Sequence, residues 1–151
     1  MLKGIDPLLT PDLLKALAEM GHGDEIVIAD ANFTAATLGR GKTLIQAPGI
    51  GVLRMCEAVL SLLPLDAAVA RPVACMQVSD TPPGYRSALQ RQVVQRLAEA
   101  GWAAPEQVEA VERFAFYDRV QRAHAIVLTG ELQPYANFVF KKGVIGEPLV
   151  H

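Results

Sequence analysis

The stretch GHGDEIVIADANF, residues 21–33, places a short apolar run between a glycine-flanked histidine and an aspartate. Glu25–Ala29 has the length of a β-strand, and its nearly unbroken apolar character is typical of a strand covered on both faces in a parallel sheet. Ligand sites in open α/β sheets gather beyond the carboxyl ends of the strands. Asp30 therefore lies where a site is expected, whereas His22 begins near the opposite end of the same strand.

The rest of the chain alternates apolar strand patterns with amphipathic helix patterns. Further strands are predicted over 43–47, 73–78, 125–129 and 137–141, an extended segment over 108–114, a loop over 30–41, and helices from Thr10 to about Gly21 and over 52–63, 85–100 and 115–123. This order predicts the α/β class, as one domain over residues 1–151. The expected architecture is a three-layer sandwich with a mostly parallel central sheet and some antiparallel pairing near the end of the chain.

The composition narrows the class of protein. The chain has 151 residues, 51% of them apolar and 20% charged, which excludes a disordered chain. A net charge of −2 without a basic block argues against a nucleic-acid partner. No apolar run is long enough for a membrane span, and Cys56 and Cys75 are predicted to be buried thiols. We expect a cytoplasmic protein, and the apolar surplus is consistent with burial of surface between subunits.

Several polar residues stand where chemistry is possible. His22, with small neighbours on both sides, is either a solvent-exposed loop histidine or a group that gives and takes a proton near neutral pH. From its end of the strand it can still reach a site on a neighbouring subunit. Asp30 is either a loop-capping carboxylate or a ligand group. Tyr135 and Asn137 would point the same way from an extended chain, and a hydroxyl beside an amide suits the recognition of sugar hydroxyls.

Three more candidates have competing interpretations. Asp66, after a helix that ends near Pro64, is either a turn residue or an acid. Arg113 lies among apolar residues and needs an acid, solvent or a polar ligand. Tyr117 is either a core residue or one with its hydroxyl at an edge. The three histidines are scattered, and Gly49-Ile50-Gly51 lacks the third glycine of a dinucleotide fingerprint, so neither a metal nor an organic cofactor is predicted.

Taken in order, five segments resemble the L-fucose mutarotase and D-ribose pyranase family. They are LAEMGHGDEIVIADANF (17–33), LLPLD (62–66), ERFAFYDR (112–119), AIVLTGE (125–131) and PYANFVFKKGV (134–144). Within that family, DANF and RFAFY are more similar to the fucose branch. This sequence differs from the fucose branch at one segment: it has Gln46-Ala47-Pro48-Gly49 where fucose-branch members tend to have Arg-Ala-Asp-Gly.

The resemblance implies interconversion of sugar anomers without a cofactor, in a homo-oligomer that is commonly a decamer of two pentameric rings with sites where subunits meet. It implies His22 as the proton-transfer residue, Asp66 as a second catalytic candidate, and as sugar contacts Asp30, Arg113, Tyr117, Tyr135 and Asn137. The expected function is α/β anomer exchange of L-fucose or a related aldose. The alternatives are a D-ribose pyranase and a non-catalytic sugar-binding or transport-accessory protein.

Overall fold

A computed structural model describes residues 1–151, and its elements follow the predicted alternation of helices and strands. The elements in chain order are α1 (Pro11–Glu19), β1 (Glu25–Ala29), α2 (Ala35–Leu38), β2 (Thr43–Ala47), α3 (Val52–Leu60), β3 (Val73–Met76), α4 (Ala88–Glu99), a 3₁₀ turn (Pro105–Gln107), β4 (Val108–Val111), α5 (Arg113–Gln121), β5 (Ala125–Thr129) and β6 (Phe138–Lys141).

The six strands form one mixed sheet in the order β2-β5-β1-β6-β3-β4. The β2–β5, β5–β1 and β3–β4 pairs are parallel, whereas β6 runs antiparallel to both β1 and β3. The mostly parallel sheet and the antiparallel pairing of the last strand are thus confirmed. The insertion of β6 into the centre of the sheet has a consequence for the site, because its first residues lie beside the last residues of β1 and β3.

Helices cover both faces of the sheet and give the predicted three layers. On one face, α1, α3 and α4 pack on side chains such as Ile26, Ile28 and Phe140. On the other face, α2 and α5 pack on Val27, Ala29 and their neighbours. Successive residues of β1 therefore face opposite layers, and four of its five residues are buried. This double cover explains why the strand is almost entirely apolar.

The sequence-based boundaries were wrong at some helix ends. Residues 30–41 were expected to form only a loop, yet they contain α2, whose four residues are too few to show a helical period. The extended segment over 108–114 ends at Val111, because the Glu112 carboxylate accepts hydrogen bonds from the backbone N–H groups of Phe114 and Ala115 and starts α5 at Arg113.

Two other helices are shorter than predicted. α4 begins after Ser87 rather than at Tyr85, since the Ser87 hydroxyl caps the helix by accepting from the Gln90 backbone N–H. α3 ends at Leu60, and the chain passes through a turn before Pro64. Neither difference moves a candidate site residue.

Candidate functional site

The antiparallel β6 brings Asn137, just before its first residue, next to the end of β1. The backbone N–H of Asp30 donates to the Asn137 side-chain oxygen at 2.8 Å, and the N–H of Met76, at the end of β3, donates to the Asn137 carbonyl at 3.1 Å. The side chains of Asp30 and Asn137 are both buried. Three strand ends thus converge on one small region, which we call the carboxyl-end pocket; its sequence-predicted members are Asp30, Arg113, Tyr117, Tyr135 and Asn137.

Asp30 is a buried carboxylate with few partners. Its side chain accepts a hydrogen bond from the Asn32 backbone N–H at 3.0 Å. Burial raises the pKa of the Asp30 carboxyl above its ordinary value, although the hydrogen bonds from Asn32 and Asn137 oppose that rise. A buried acid with unused acceptor capacity in a cleft is a group that a ligand hydroxyl can satisfy.

The first turn of α5 closes the pocket from the other side. The Arg113 guanidinium donates through Nε to the Tyr117 hydroxyl at 2.9 Å and lies 5.5 Å from the centre of the Tyr117 ring. That ring in turn packs edge-on against Phe33, with 5.7 Å between ring centres. Arg113 is exposed and forms no ion pair, so its remaining donors are free to bind a polar ligand.

Tyr135 reaches the pocket through an uncommon backbone conformation. Its φ angle is 59°, in the left-handed region that non-glycine residues seldom adopt. Its carbonyl accepts a hydrogen bond at 2.8 Å from the side-chain amide of Gln90, a buried residue of α4. Residues in such conformations persist where the surrounding structure holds them, and they cluster at functional sites.

The carboxyl-end pocket has a volume of about 180 Å³ and a mixed lining of polar and apolar residues. It is lined by Asp30, Asn32, Phe33, Met76, Arg113, Tyr117, Pro134, Tyr135 and Asn137. This volume is below the ~300–1,000 Å³ of drug-sized ligand sites, so the pocket suits a small ligand or forms part of a larger site. A larger groove near the N-terminus, between Met1 and Leu14, is mainly apolar and lacks converging polar groups.

His22 and Asp66 form a second group, at the other end of β1. The His22 Nε2 and an Asp66 carboxylate oxygen are 2.9 Å apart, and the side chains are 51% and 6% exposed, respectively. The Ala68 backbone N–H and the His22 imidazole lower the pKa of the Asp66 carboxyl. The imidazole is thus accessible to solvent while its carboxylate partner is fixed, an arrangement that orients a histidine for proton transfer.

The predicted site residues therefore fall into two groups on one chain. Five of them meet in the carboxyl-end pocket, and His22 and Asp66 pair with each other, about one strand length (~16 Å for five residues) away along β1. Gln46 and Pro48, the positions that depart from the fucose branch, are exposed near the edge strand β2, and neither lines the pocket.

Sequence reasoning missed four pocket-lining residues, Asn32, Phe33, Met76 and Pro134, and it also missed Gln90 behind them. Phe33 and Met76 are apolar and have no signal beyond a core pattern. Gln90 did have a signal, because it shares a helical spacing with the buried Val93, Val94 and Leu97 and is the polar exception on that face.

Two other features of the chain bear on ligands. No group of three or more histidine, cysteine, aspartate or glutamate side chains is placed to hold a metal ion. No helix has the length and apolar character needed to span a bilayer. Cys56 and Cys75 are buried free thiols, as predicted, and burial raises the pKa of Cys75 to about 12.

The fold and the site define an α/β protein with a small polar pocket at the strand ends and a separate accessible histidine. Residues 3–145 match the RbsD / FucU transport protein family, and the chain belongs to that family. It is 48% identical over 144 residues to an L-fucose mutarotase of Glaesserella parasuis, an alignment covering 95% of this chain and 96% of that protein.

Two solved structures place the fold among known proteins. The fucose mutarotase of Streptococcus pneumoniae in complex with L-fucose has a TM-score of 0.85 and 37% identity, over 96% of this chain and 100% of that one. RbsD of Bacillus subtilis complexed with D-ribose has a TM-score of 0.70 and 25% identity, over 97% and 100% of the two chains. The likeness is greater to the fucose protein in both measures.

Proposed function

We propose that this protein is an L-fucose mutarotase, an isomerase that exchanges the α and β anomers of the free sugar. The observation that carries the proposal is the buried Asp30 carboxylate, which lines one small pocket together with Asn137 and Arg113. Similarity to named L-fucose mutarotases over nearly the whole chain supports the choice of sugar. D-ribose is the second candidate, and the weaker likeness to the ribose complex makes it less favoured.

The chemistry needs only proton transfer. The ring oxygen of the sugar gains a proton while the anomeric hydroxyl loses one, which breaks the ring carbon–oxygen bond and gives the open-chain aldehyde. Rotation about the first carbon–carbon bond and reversal of both transfers close the ring on the other face. We assign proton transfer to His22 with Asp66 as its partner, and hydroxyl binding to Asp30, Arg113, Tyr117, Tyr135 and Asn137. A positioned acid or base of this kind contributes ~10²–10⁴-fold.

The distance between the two groups leads to a shared site. Because His22 and the carboxyl-end pocket lie at opposite ends of β1, one sugar molecule cannot contact both on the same chain. We propose that His22 of one subunit completes the pocket of the next, in a cytoplasmic homo-oligomer built as a decamer of two pentameric rings. The small volume and open mouth of the pocket are consistent with a missing wall supplied by a neighbour.

Exchange NMR at equilibrium tests the activity, since it detects interconversion without net product. L-fucose anomers should exchange faster with the protein than without it, D-ribose ring forms should respond less, and dialysis against EDTA should leave the rate unchanged. Binding of L-fucose without faster exchange would favour the non-catalytic alternative. Faster ribose exchange with no effect on fucose would favour the pyranase.

Mixing two impaired variants tests the shared site. In His22→Ala the pocket is intact, and in Asp30→Ala the imidazole is intact. Co-expression of the two should therefore restore those sites in which the pocket of a His22→Ala chain meets the imidazole of an Asp30→Ala chain. Random assembly would make about one quarter of the sites fully functional. Each variant alone is the matched control. No recovery in co-assembled oligomers, or a monomeric mass by light scattering, would contradict the shared site.

A further inference from the structure

Gln90 lies behind the carboxyl-end pocket and contacts two of its walls. Its side chain is 1% exposed, at the third position of α4. The amide nitrogen donates to the Met76 carbonyl at 2.8 Å and to the Tyr135 carbonyl at 2.8 Å, while the amide oxygen accepts from the Ser87 backbone N–H at 2.9 Å. Both donors of the amide are thus used within the protein.

The orientation of this amide follows from its partners. A carbonyl can only accept and a backbone N–H can only donate, so the nitrogen must face Met76 and Tyr135, and the oxygen must face Ser87. A flipped amide would set its oxygen against two carbonyl oxygens in a buried space. Gln90 therefore has one satisfied arrangement and acts as a fixed link between α4, the end of β3 and the segment before β6.

The Tyr135 end of this link is the part that needs support. Its φ of 59° is held against the usual preference of a residue with a side chain. Two residues later, Asn137 binds the Asp30 N–H and the Met76 N–H. The segment 135–137 is thus fixed by Gln90 on one side and by the strand ends on the other, and all the polar groups of that wall depend on its placement.

We infer that Gln90 is a positioning residue, which sets the affinity of the pocket for its sugar by holding Met76 and the Tyr135–Asn137 segment in place. The inference rests on the proposed function for the identity of the sugar. It assigns Gln90 no contact with substrate and no proton transfer. Its loss should therefore change binding and leave the proton-transfer step at His22 unaffected.

The capping role of Gln90 must be separated from its positioning role. Gln90→Met keeps a chain of similar length and removes both donors to the pocket walls, and it also removes the amide oxygen that binds Ser87. Ser87→Ala removes the other half of the same helix cap and leaves the two donors intact. Gln92→Met is a surface control on the same helix, because Gln92 is exposed and makes no side-chain hydrogen bond.

We expect Gln90→Met to raise the KM for L-fucose roughly tenfold, with kcat within about twofold of wild type, as for the loss of buried hydrogen bonds that hold a binding wall. Ser87→Ala should lower the melting temperature with a wild-type KM. A KM unchanged in Gln90→Met, or raised equally in Ser87→Ala, would overturn the inference. If Gln90→Met does not fold, Gln90→Asn, whose amide is one methylene too short, replaces it with the same expectation.

A measurement without sugar keeps the test independent of the proposed function. The backbone amide NMR signals of residues 135–137 in the free protein should shift in Gln90→Met and remain in place in Ser87→Ala. Absence of fucose exchange by the wild-type protein would defeat the proposed function and leave this structural result standing. Unmoved signals in Gln90→Met would defeat the positioning role even if the wild-type protein is active.

Discussion

The carboxyl-end pocket and the His22–Asp66 pair are built in different ways. The pocket is made of side chains anchored to strand ends and to the first turn of α5, and its central acid and amide, Asp30 and Asn137, are buried and bonded to backbone groups. The pair lies on the connections before β1 and after α3, and half of the His22 side chain is exposed. The central groups of the pocket are held in place by the fold, whereas the imidazole of the pair is exposed to solvent.

This difference matches the two tasks that anomer exchange requires. A binding region must hold several hydroxyls in one orientation, which favours rigid elements. A proton-transfer group must approach an atom of a ligand bound elsewhere, which favours an exposed side chain with little surrounding bulk. Gly21 and Gly23 flank His22, and Gly23 has a φ of 87°, which a side chain would oppose. The backbone conformation therefore favours glycine at position 23, on one side of the imidazole.

The largest expected effect comes from removing the exposed imidazole of His22. His22→Ala should reduce the exchange rate of L-fucose by about 10²-fold or more, while sugar binding falls less, because the pocket is intact. The folded state should be destabilised by about 1 kcal/mol, since the buried Asp66 carboxylate loses one hydrogen-bond partner and keeps the Ala68 backbone N–H. His151→Ala, at the exposed C-terminus, is the control. Full exchange by a folded His22→Ala protein would make the imidazole a bystander and move the search to Asp66, Tyr117 and Tyr135.

A smaller effect is expected from the partner of that imidazole. Asp66→Asn keeps the shape and removes the charge that orients His22, so kcat should fall by roughly tenfold while KM changes little. The exposed Asp118, which makes no side-chain hydrogen bond, offers Asp118→Asn as the matched control. An increase in KM without loss of kcat would instead place Asp66 in sugar binding and reduce the contrast between the two regions.

The two regions also differ in how much the sequence could predict. The strand patterns and the residues at their ends were enough for the fold class, for the location of Asp30 and for the opposite location of His22. The position of β6 between β1 and β3 could not be read from any local pattern, because strand order depends on contacts between distant segments. Without that order, the meeting of Asp30 with Asn137 could be expected only from the resemblance, and the place of Met76 beside them could not be expected at all.

The pairing of His22 with Asp66 has a similar cause. The two residues are 44 positions apart and their connections lack regular structure, so no periodicity brings them together. The roles of both residues came from the family resemblance and stay predictions. Gln90 shows the reverse case, in which a polar residue on an apolar helical face was a readable signal.

The subtlest contrast lies in the two aspartates themselves. Burial raises the pKa of Asp30 above the ordinary 3.8, whereas hydrogen bonds from Ala68 and His22 lower that of Asp66. Their effects on stability have opposite signs: protonating Asp30 favours the folded state as the pH falls towards 3.8, and stability supplied by ionised Asp66 is lost only below 3.8. As the pH falls, Asp30 should gain its proton above pH 3.8, while Asp66 is still ionised. The affinity for L-fucose should therefore decline before the stability supplied by Asp66 is lost. Carboxyl carbon NMR and KM, both measured against pH, check this order of titration. Asp30→Asn should abolish the decline in affinity, because no carboxyl group remains at that position. An Asp30 that titrates below Asp66 would contradict the contrast between a desolvated binding acid and a hydrogen-bonded partner acid.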